Sequence, residues 1–283
     1  MAEAVQEILG DRISSGIVIT KYGQAKDHKL KDRFSVFEAS HPTPDEAGVV
    51  ATSRLLEAAD KADAKTLVLC CISGGSSSLL VAPAEGISLD EMKEATRLLL
   101  GCGCPVEEKN AVLKHLSKVK GGQLTAHCQP AKVVTMILSD VVGDPLEDIG
   151  SGPTVPDVST YVDCLRILGM HGILDSFPAS CRDRIVRGSA GLLKDTPRQG
   201  DKDVSGAMNV VVAGNKTAVD AACEEGKALG FNTLPLTTFA EGEAAEIVKV
   251  FTGIAKEEVK FNRPVPIPAC IVIGGESTVS LPK

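Results

Sequence analysis

Val133-Val134-Thr135-Met136-Ile137-Leu138-Ser139-Asp140-Val141-Val142-Gly143-Asp144-Pro145-Leu146-Glu147-Asp148-Ile149-Gly150-Ser151-Gly152-Pro153-Thr154-Val155-Pro156-Asp157 is the stretch on which the fold turns. Val133 to Leu138 has the length and β-branched content of a buried strand, and at its end the chain becomes acidic, small and rich in Gly and Pro. In an open α/β sheet, ligands bind beyond the carboxyl ends of the strands, where loops present carboxylates, hydroxyls and backbone N–H groups together. Four aspartates (140, 144, 148 and 157) lie on this one loop, and three prolines stiffen it. Asp and Gly also serve plain turn chemistry, but the length and rigidity of the loop favour a site.

Upstream, Gly16 to Thr20 and Phe34 to Glu38 read as strands, and Met1, Val5, Ile8, Leu9 and Ile13 share one face of an N-terminal amphipathic helix. His41-Pro42-Thr43-Pro44-Asp45-Glu46 is a proline-set turn leading into a helix through Leu55, Leu56 and Ala59, whose positive end Asp45 and Glu46 suit. His41 is equally balanced between a structural part and a ligand contact. Thr66 to Ile72 is a further strand, followed at once by Ser73-Gly74-Gly75-Ser76-Ser77-Ser78. A strand, a Gly/Ser turn and a helix together aim N–H groups and hydroxyls at an anion. The turn is neither a Walker A motif nor a dinucleotide fingerprint. Ser88 and Glu91 have capping-box spacing for a helix over 88–101. The next helical stretch carries Lys114, Ser117 and Lys118 at spacings that share a face, with Lys120 beside Gly121-Gly122. These lysines suit either a solvated helix end or a grip on phosphate oxygens.

After a helix over 160–169, residues 172–206 read as a polar connection between lobes, with the boundary near 200. The expected domains are 1–200 and 205–283. Asn209 to Ala213 begins a new βα unit with Gly214-Asn215-Lys216-Thr217 as its helix start, and Ala269 to Ile273 is a strand leading into a site-like Gly274-Gly275-Glu276 loop. The fold class is α/β: a Rossmann-like three-layer lobe with a parallel sheet, plus a second, incomplete α/β lobe.

The 283 residues carry 30 Lys and Arg against 37 Asp and Glu, a formal charge of −7, which disfavours nucleic acid and anionic membrane as partners. Apolar runs are only strand length, too short to span a bilayer. The nine cysteines are scattered and odd in number, as expected of reduced core residues in the cytoplasm, and Cys102-Gly103-Cys104 lacks the second pair of a zinc site. With no tryptophan and 3% aromatic residues, little is left for stacking on bases or sugar rings.

Five stretches together resemble the glycerate 2-kinase family, whose C-terminal part is called MOFRL: His41 to Gly48, Ile72 to Leu80, Lys114 to Ser117 with Lys120 to Gly122, Leu138 to Pro145 with Ser151 to Asp157, and Ile273 to Val279. They keep the family's order and cover nearly the whole chain. The resemblance implies two α/β lobes, with ATP and D-glycerate meeting in the cleft between them and Mg²⁺-assisted phosphoryl transfer to a glycerate hydroxyl. The product would be 2-phosphoglycerate ahead of 3-phosphoglycerate, formed in serine and fructose breakdown. It also implies roles. Asp140 or Asp144 orients or deprotonates the acceptor, and Lys114 neutralises charge. Ser73, Gly74, Gly75, Ser76, Ser77, Lys120, Gly274, Gly275 and Glu276 hold phosphate or nucleotide. His41, Asp45, Ser117, Ser151, Gly152 and Thr154 hold substrate, and Asp144 and Asp157 hold metal. The expected assembly is a homodimer in the cytoplasm, with a longer form open to mitochondrial targeting.

Leu113 and Gln123 stand where the family has arginine, and Ser76 where a third glycine is common. Family members carry a Gly-x-Gly-Lys-Ala stretch ahead of the helix that begins at Met1 and a Gly-Gly-Arg-Asn-Gln-Glu stretch beyond Pro282-Lys283. The expectation is therefore of a piece of a longer kinase with little turnover of its own, and the alternative to a kinase is a non-catalytic form that binds ligand or partner. A nicotinamide-dependent sugar-acid enzyme would need a dinucleotide fingerprint that the sequence does not contain.

Overall fold

The computed structural model describes residues 1–279; the expectation concerning Pro282-Lys283 lies outside them. The chain divides into two compact units, Met1–Met136 with Leu146–Val210, and Ile137–Pro145 with Val211–Lys283. The acidic loop is thus shared, since its first part belongs to the second unit and its remainder to the first.

In the first unit, α1 (Ala2–Leu9) precedes β1 (Gly16–Lys21) and β2 (Phe34–Ala39), which pair in parallel from Gly16 opposite Phe34 to Lys21 opposite Ala39. None of the residues of α1 is buried, and Ile8 is 79% exposed. There follow α2 (Glu46–Ala59), β3 (Leu67–Ile72), α3 (Ser76–Leu79), α4 (Leu89–Gly101), α5 (Val106–His115), α6 (Gln123–Cys128), β4 (Lys132–Leu138), α7 (Tyr161–Met170), α8 (Ala179–Ser189) and β5 (Met208–Ala213). Strands β3, β4 and β5 form one sheet in that order. Alternate residues Val133, Thr135 and Ile137 of β4 are buried, the period of two expected of a strand.

Local chemistry accounts for the helix starts. The Asp45 carboxylate accepts the Gly48 N–H at 3.0 Å to cap α2. Ser88 and Glu91 form the expected capping box on α4, and Thr160 with Asp163 forms a second on α7. Helices α4, α5, α7 and α8 then close a core in which Leu99, Val112, Leu168 and Ile185 are fully buried, with Leu116 just beyond α5. Each such side chain contributes about 1.5–3 kcal/mol of burial.

The structure corrects three readings. Residues 172–206 are not a plain connection, because α8 lies among them and buries Cys181, Ile185 and Gly188. Helix α5 ends at His115, so Ser117 leaves the face of Lys114 and instead pairs with Pro83 in an isolated antiparallel bridge. Gly274 to Glu276 belong to a strand rather than to a loop after it.

In the second unit, the end of β4 from Ile137, the loop Ser139–Pro145 and the end of β5 from Val211 are followed by α9 (Asn215–Ala228), β6 (Asn232–Glu243), α10 (Ala244–Phe261) and β7 (Ala269–Thr278). Strands β6 and β7 pair in parallel, with α9 and α10 packed on them. A Cβ at Gly275 would lie 2.1 Å from the Ala240 carbonyl oxygen, so the register requires glycine there. All nine cysteines are free, four of them buried. No helix among the described residues is long and apolar enough to cross a membrane.

Gly188 of α8 lies under the Tyr161 ring, where a Cβ would fall 2.2 Å from Cγ. Alanine is the better helix former by about 1 kcal/mol, yet overpacking costs about 1–3 kcal/mol. Gly188→Ala is therefore expected to lower stability in urea denaturation despite the gain in helix propensity.

Candidate functional site

In the first unit the Gly/Ser turn, Lys120 and the end of the acidic loop converge. Ser117 Oγ accepts the Val119 and Lys120 N–H groups at 3.1 and 3.3 Å, forming the turn that carries Lys120 inward. The Lys120 ammonium donates to the Ser77 carbonyl at 2.7 Å, to Ser77 Oγ at 2.8 Å and to Ser151 Oγ at 3.4 Å. All three acceptors are neutral, and Lys120 is only 2% exposed. Burial, with the charges of Lys109 and Lys114, pulls this ammonium down to about 7.

Ser151 also donates to Asn110 Oδ1 at 3.2 Å, and Asn110 Nδ2 in turn donates to Asp148 Oδ1 at 2.7 Å. Gly150, Ser151 and Gly152 have φ of 61°, 61° and 58°. Left-handed backbone at a non-glycine residue such as Ser151 costs free energy and persists only where its surroundings enforce it. Here the Gly121 and Gly122 N–H groups donate to the Ser151 and Gly152 carbonyls at 3.0 and 2.8 Å. Gly75 lies against His41, since a Cβ would fall 2.9 Å from Nε2, and Gly150 lies against Ser76, 2.6 Å from Oγ. His41, Gly75, Ser76, Ser77, Lys120 and Ser151 are thus brought into one neighbourhood. Ser73 forms the turn before α3, its carbonyl accepting the Ser76 N–H at 3.3 Å, with Gly74 between them.

Lys114 has a different partner. Its ammonium meets Asp157 Oδ1 at 3.3 Å, with side chains 6% and 0% exposed. Burial alone would raise the Asp157 carboxyl. The Lys114 charge beside it, hydrogen bonds from Ser159 and Thr196, and nearby His115 override burial and hold it below the usual carboxylate range. As a metal ligand, Asp157 would have to give up Lys114. Asp45 accepts from Tyr22 Oη at 2.6 Å while capping α2. Thr154 donates to Asn209 Oδ1 at 2.7 Å and accepts from Thr135 at 2.9 Å. Those hydroxyls and carboxylates act within the fold, as Ser117 does.

The second unit holds the other carboxylates. A cavity of about 280 Å³ is lined by Leu138, Ser139, Asp140, Gly214, Asn215, Ala218, Gly275 and Glu276. It combines the end of β4, the start of α9 and Gly275 with Glu276 of β7, while Gly274 of the same strand is not part of the lining. Asp144, with φ 55°, lies over Gly214, where a Cβ would fall 2.8 Å from Oδ1. That Oδ1 is buried and has no hydrogen-bond partner among the described residues. The N-terminus of a helix of 14 residues directs backbone N–H groups outward and favours an anion. Gly214 and Asn215 went unassigned from sequence, although the Gly-Asn-Lys-Thr helix start was visible. The part played by Asn110, and the pairing of Asp148 with it, depend on contacts distant along the chain that no local pattern reveals.

Residues 1–186 match the family described as a domain of unknown function, DUF4147. A glycerate 2-kinase of Pyrococcus horikoshii is 40% identical over 281 residues, covering 99% of this chain and 62% of that protein. The crystal structure of a glycerate kinase from Thermotoga maritima superposes with a TM-score of 0.87 at 39% identity, covering 100% of this chain and 64% of that one. A protein of Agrobacterium vitis carrying the provisional name hydroxypyruvate reductase is 41% identical over 281 residues, 99% of this chain and 61% of that protein. The chain belongs to the DUF4147 family, the family of the glycerate 2-kinases. It spans about three fifths of the length of these relatives.

The buried Lys114–Asp157 pair sets a stability test. Removing one partner leaves an uncompensated buried charge, which costs about 3–5 kcal/mol. Asp157→Ala is expected to lose that much in chemical denaturation, and adding Lys114→Met to it is expected to restore part of the loss.

Proposed function

We propose that this chain carries the ligand-binding elements of an ATP-dependent glycerate 2-kinase that converts D-glycerate to 2-phosphoglycerate. The observation that carries the reading is Lys120, a buried ammonium facing only neutral oxygens. Such a group lacks its counter-charge until an anion arrives, and glycerate carboxylate or transferring phosphate would supply it. The relatives named glycerate kinase support the choice of substrate.

Phosphoryl transfer is mainly positioning and charge neutralisation. In the first unit, Lys120 exchanges one of its hydrogen bonds to Ser77 and Ser151 for the anionic group, and His41 borders the same turn. In the second unit, the start of α9 and the glycine-lined cavity receive phosphate, Asp140 orients or deprotonates the acceptor hydroxyl, and Glu276 lines the same cavity. The residues fit Mg²⁺, which takes hard oxygen donors, because Asp144 Oδ1 is buried without a partner among the described residues. When bound, the cation would neutralise charge on the phosphoryl oxygens. Residues 205–283 form the start of a MOFRL-type lobe. The nine free thiols suit a reducing compartment such as the cytoplasm.

The test is ADP release with ATP, Mg²⁺ and D-glycerate, with identification of the phosphoglycerate formed. In a version extended to the length of the relatives, formation of 2-phosphoglycerate is expected, and Asp140→Asn is expected to lower its kcat by at least ~100-fold, the low end for a general base. NADH-dependent reduction of hydroxypyruvate without ADP formation would overturn the reading. D-Glycerate binding without turnover would favour the non-catalytic alternative.

A further inference from the structure

Outside the site described above, the first unit brings three different ligating side chains together. Cys104 lies in the connection between α4 and α5, Glu108 lies in the first turn of α5, and His171 caps the C-terminal end of α7. One ligand atom from each lies within 4.8 Å of the other two. His171 Nε2 and Glu108 Oε2 are 2.7 Å apart, and Cys104 Sγ is 3.9 Å from that same oxygen.

We propose that Cys104, Glu108 and His171 form a binding site for a divalent metal of the zinc class. Zinc takes thiolate, imidazole and carboxylate at about 2.0–2.3 Å in a tetrahedron, which sets its ligand atoms roughly 3.4–3.6 Å apart. The observed separations bracket that spacing, so the metal would open the His–Glu contact and draw the sulfur in by shifts of about 1 Å. The His171 and Glu108 side chains are 21% and 26% exposed, which leaves an entry path and room for water as a fourth ligand. The set is soft enough to select against Mg²⁺, which prefers oxygen donors alone.

Binding displaces the Cys104 thiol proton to solvent and forms a sulfur–metal bond. Without metal that proton is firmly held, since burial, with Cys102 and Glu108 nearby, pushes the thiol up to about 11. The bound ion would tie the start of α5 to the end of α7. Both helices line the core that holds α5, and α5 carries Lys114 near its other end. The role is therefore a staple on the scaffold of the first unit.

A simpler account would be a His171–Glu108 ion pair with a thiol that happens to lie nearby, and cobalt substitution separates the two. The full chain, stripped with chelator, is titrated with Co²⁺ alone and then with Zn²⁺. The expected result is a thiolate-to-cobalt charge-transfer band with tetrahedral visible absorption, saturating at one ion per chain and displaced by Zn²⁺. Cys104→Ser abolishes the charge-transfer band, whereas Cys71→Ser, which alters an exposed thiol on β3, retains it. His171→Gln weakens Co²⁺ affinity by more than the roughly 10- to 100-fold that loss of an outer partner costs. Far-UV circular dichroism of each metal-free variant verifies that it is folded. Failure of the wild-type chain to develop the band, or an undiminished band in folded Cys104→Ser, would overturn the proposal.

Discussion

Two lysine ammonium groups are buried in the first unit, and they are neutralised differently. Lys114 has Asp157 at 3.3 Å, so its charge is compensated within the fold. Lys120 has only the Ser77 and Ser151 oxygens, so its charge is solvated but not matched. Burying an ion without a counter-ion is costly, and the lowering of this lysine to about 7 expresses that cost. A lysine depressed in the folded state opposes folding most where it must be charged. The penalty is fully present below about pH 7 and fades as pH rises toward the lysine's unfolded value. Much of the surrounding structure, from the Ser117 turn to the left-handed run Gly150–Gly152, serves to hold this one ammonium in place.

The readable part of the fold is the part governed by local chemistry. The period of two in Val133, Thr135 and Ile137, the capping box at Ser88, and the abrupt change from apolar strand to Asp/Gly/Pro loop each depend on neighbours in sequence. Helix α8 escaped because its buried face is carried by Cys181, Ile185 and Gly188 among arginines and serines, which resembles a polar linker. The Lys114–Asp157 pair escaped for another reason. Its members are separated by 43 positions, and no local pattern distinguishes an aspartate that neutralises a buried lysine from one that binds metal.

The two units divide the chemistry by charge. Cationic and hydroxyl groups gather in the first, around Lys120, and carboxylates gather in the second, around Asp140, Asp144 and Glu276. The glycines follow that division, each where a side chain would collide: Gly75 on His41, Gly150 on Ser76, Gly214 on Asp144. Gly214 is also the N-cap of α9, so Asp144 lies beside the N–H groups of a helix start.

The central claim is that Lys120 awaits an anion, and it is tested most directly by the pH dependence of D-glycerate affinity in calorimetry, with Lys120→Met as the comparison. Glycerate keeps one charge throughout the range, so a change in affinity reports on the protein. With the ammonium near 7 in the free chain, affinity is expected to hold below pH 7 and fall roughly tenfold per pH unit above it, while Lys120→Met binds weakly at every pH. A flat profile in the wild-type chain, or undiminished binding by Lys120→Met, would contradict the account.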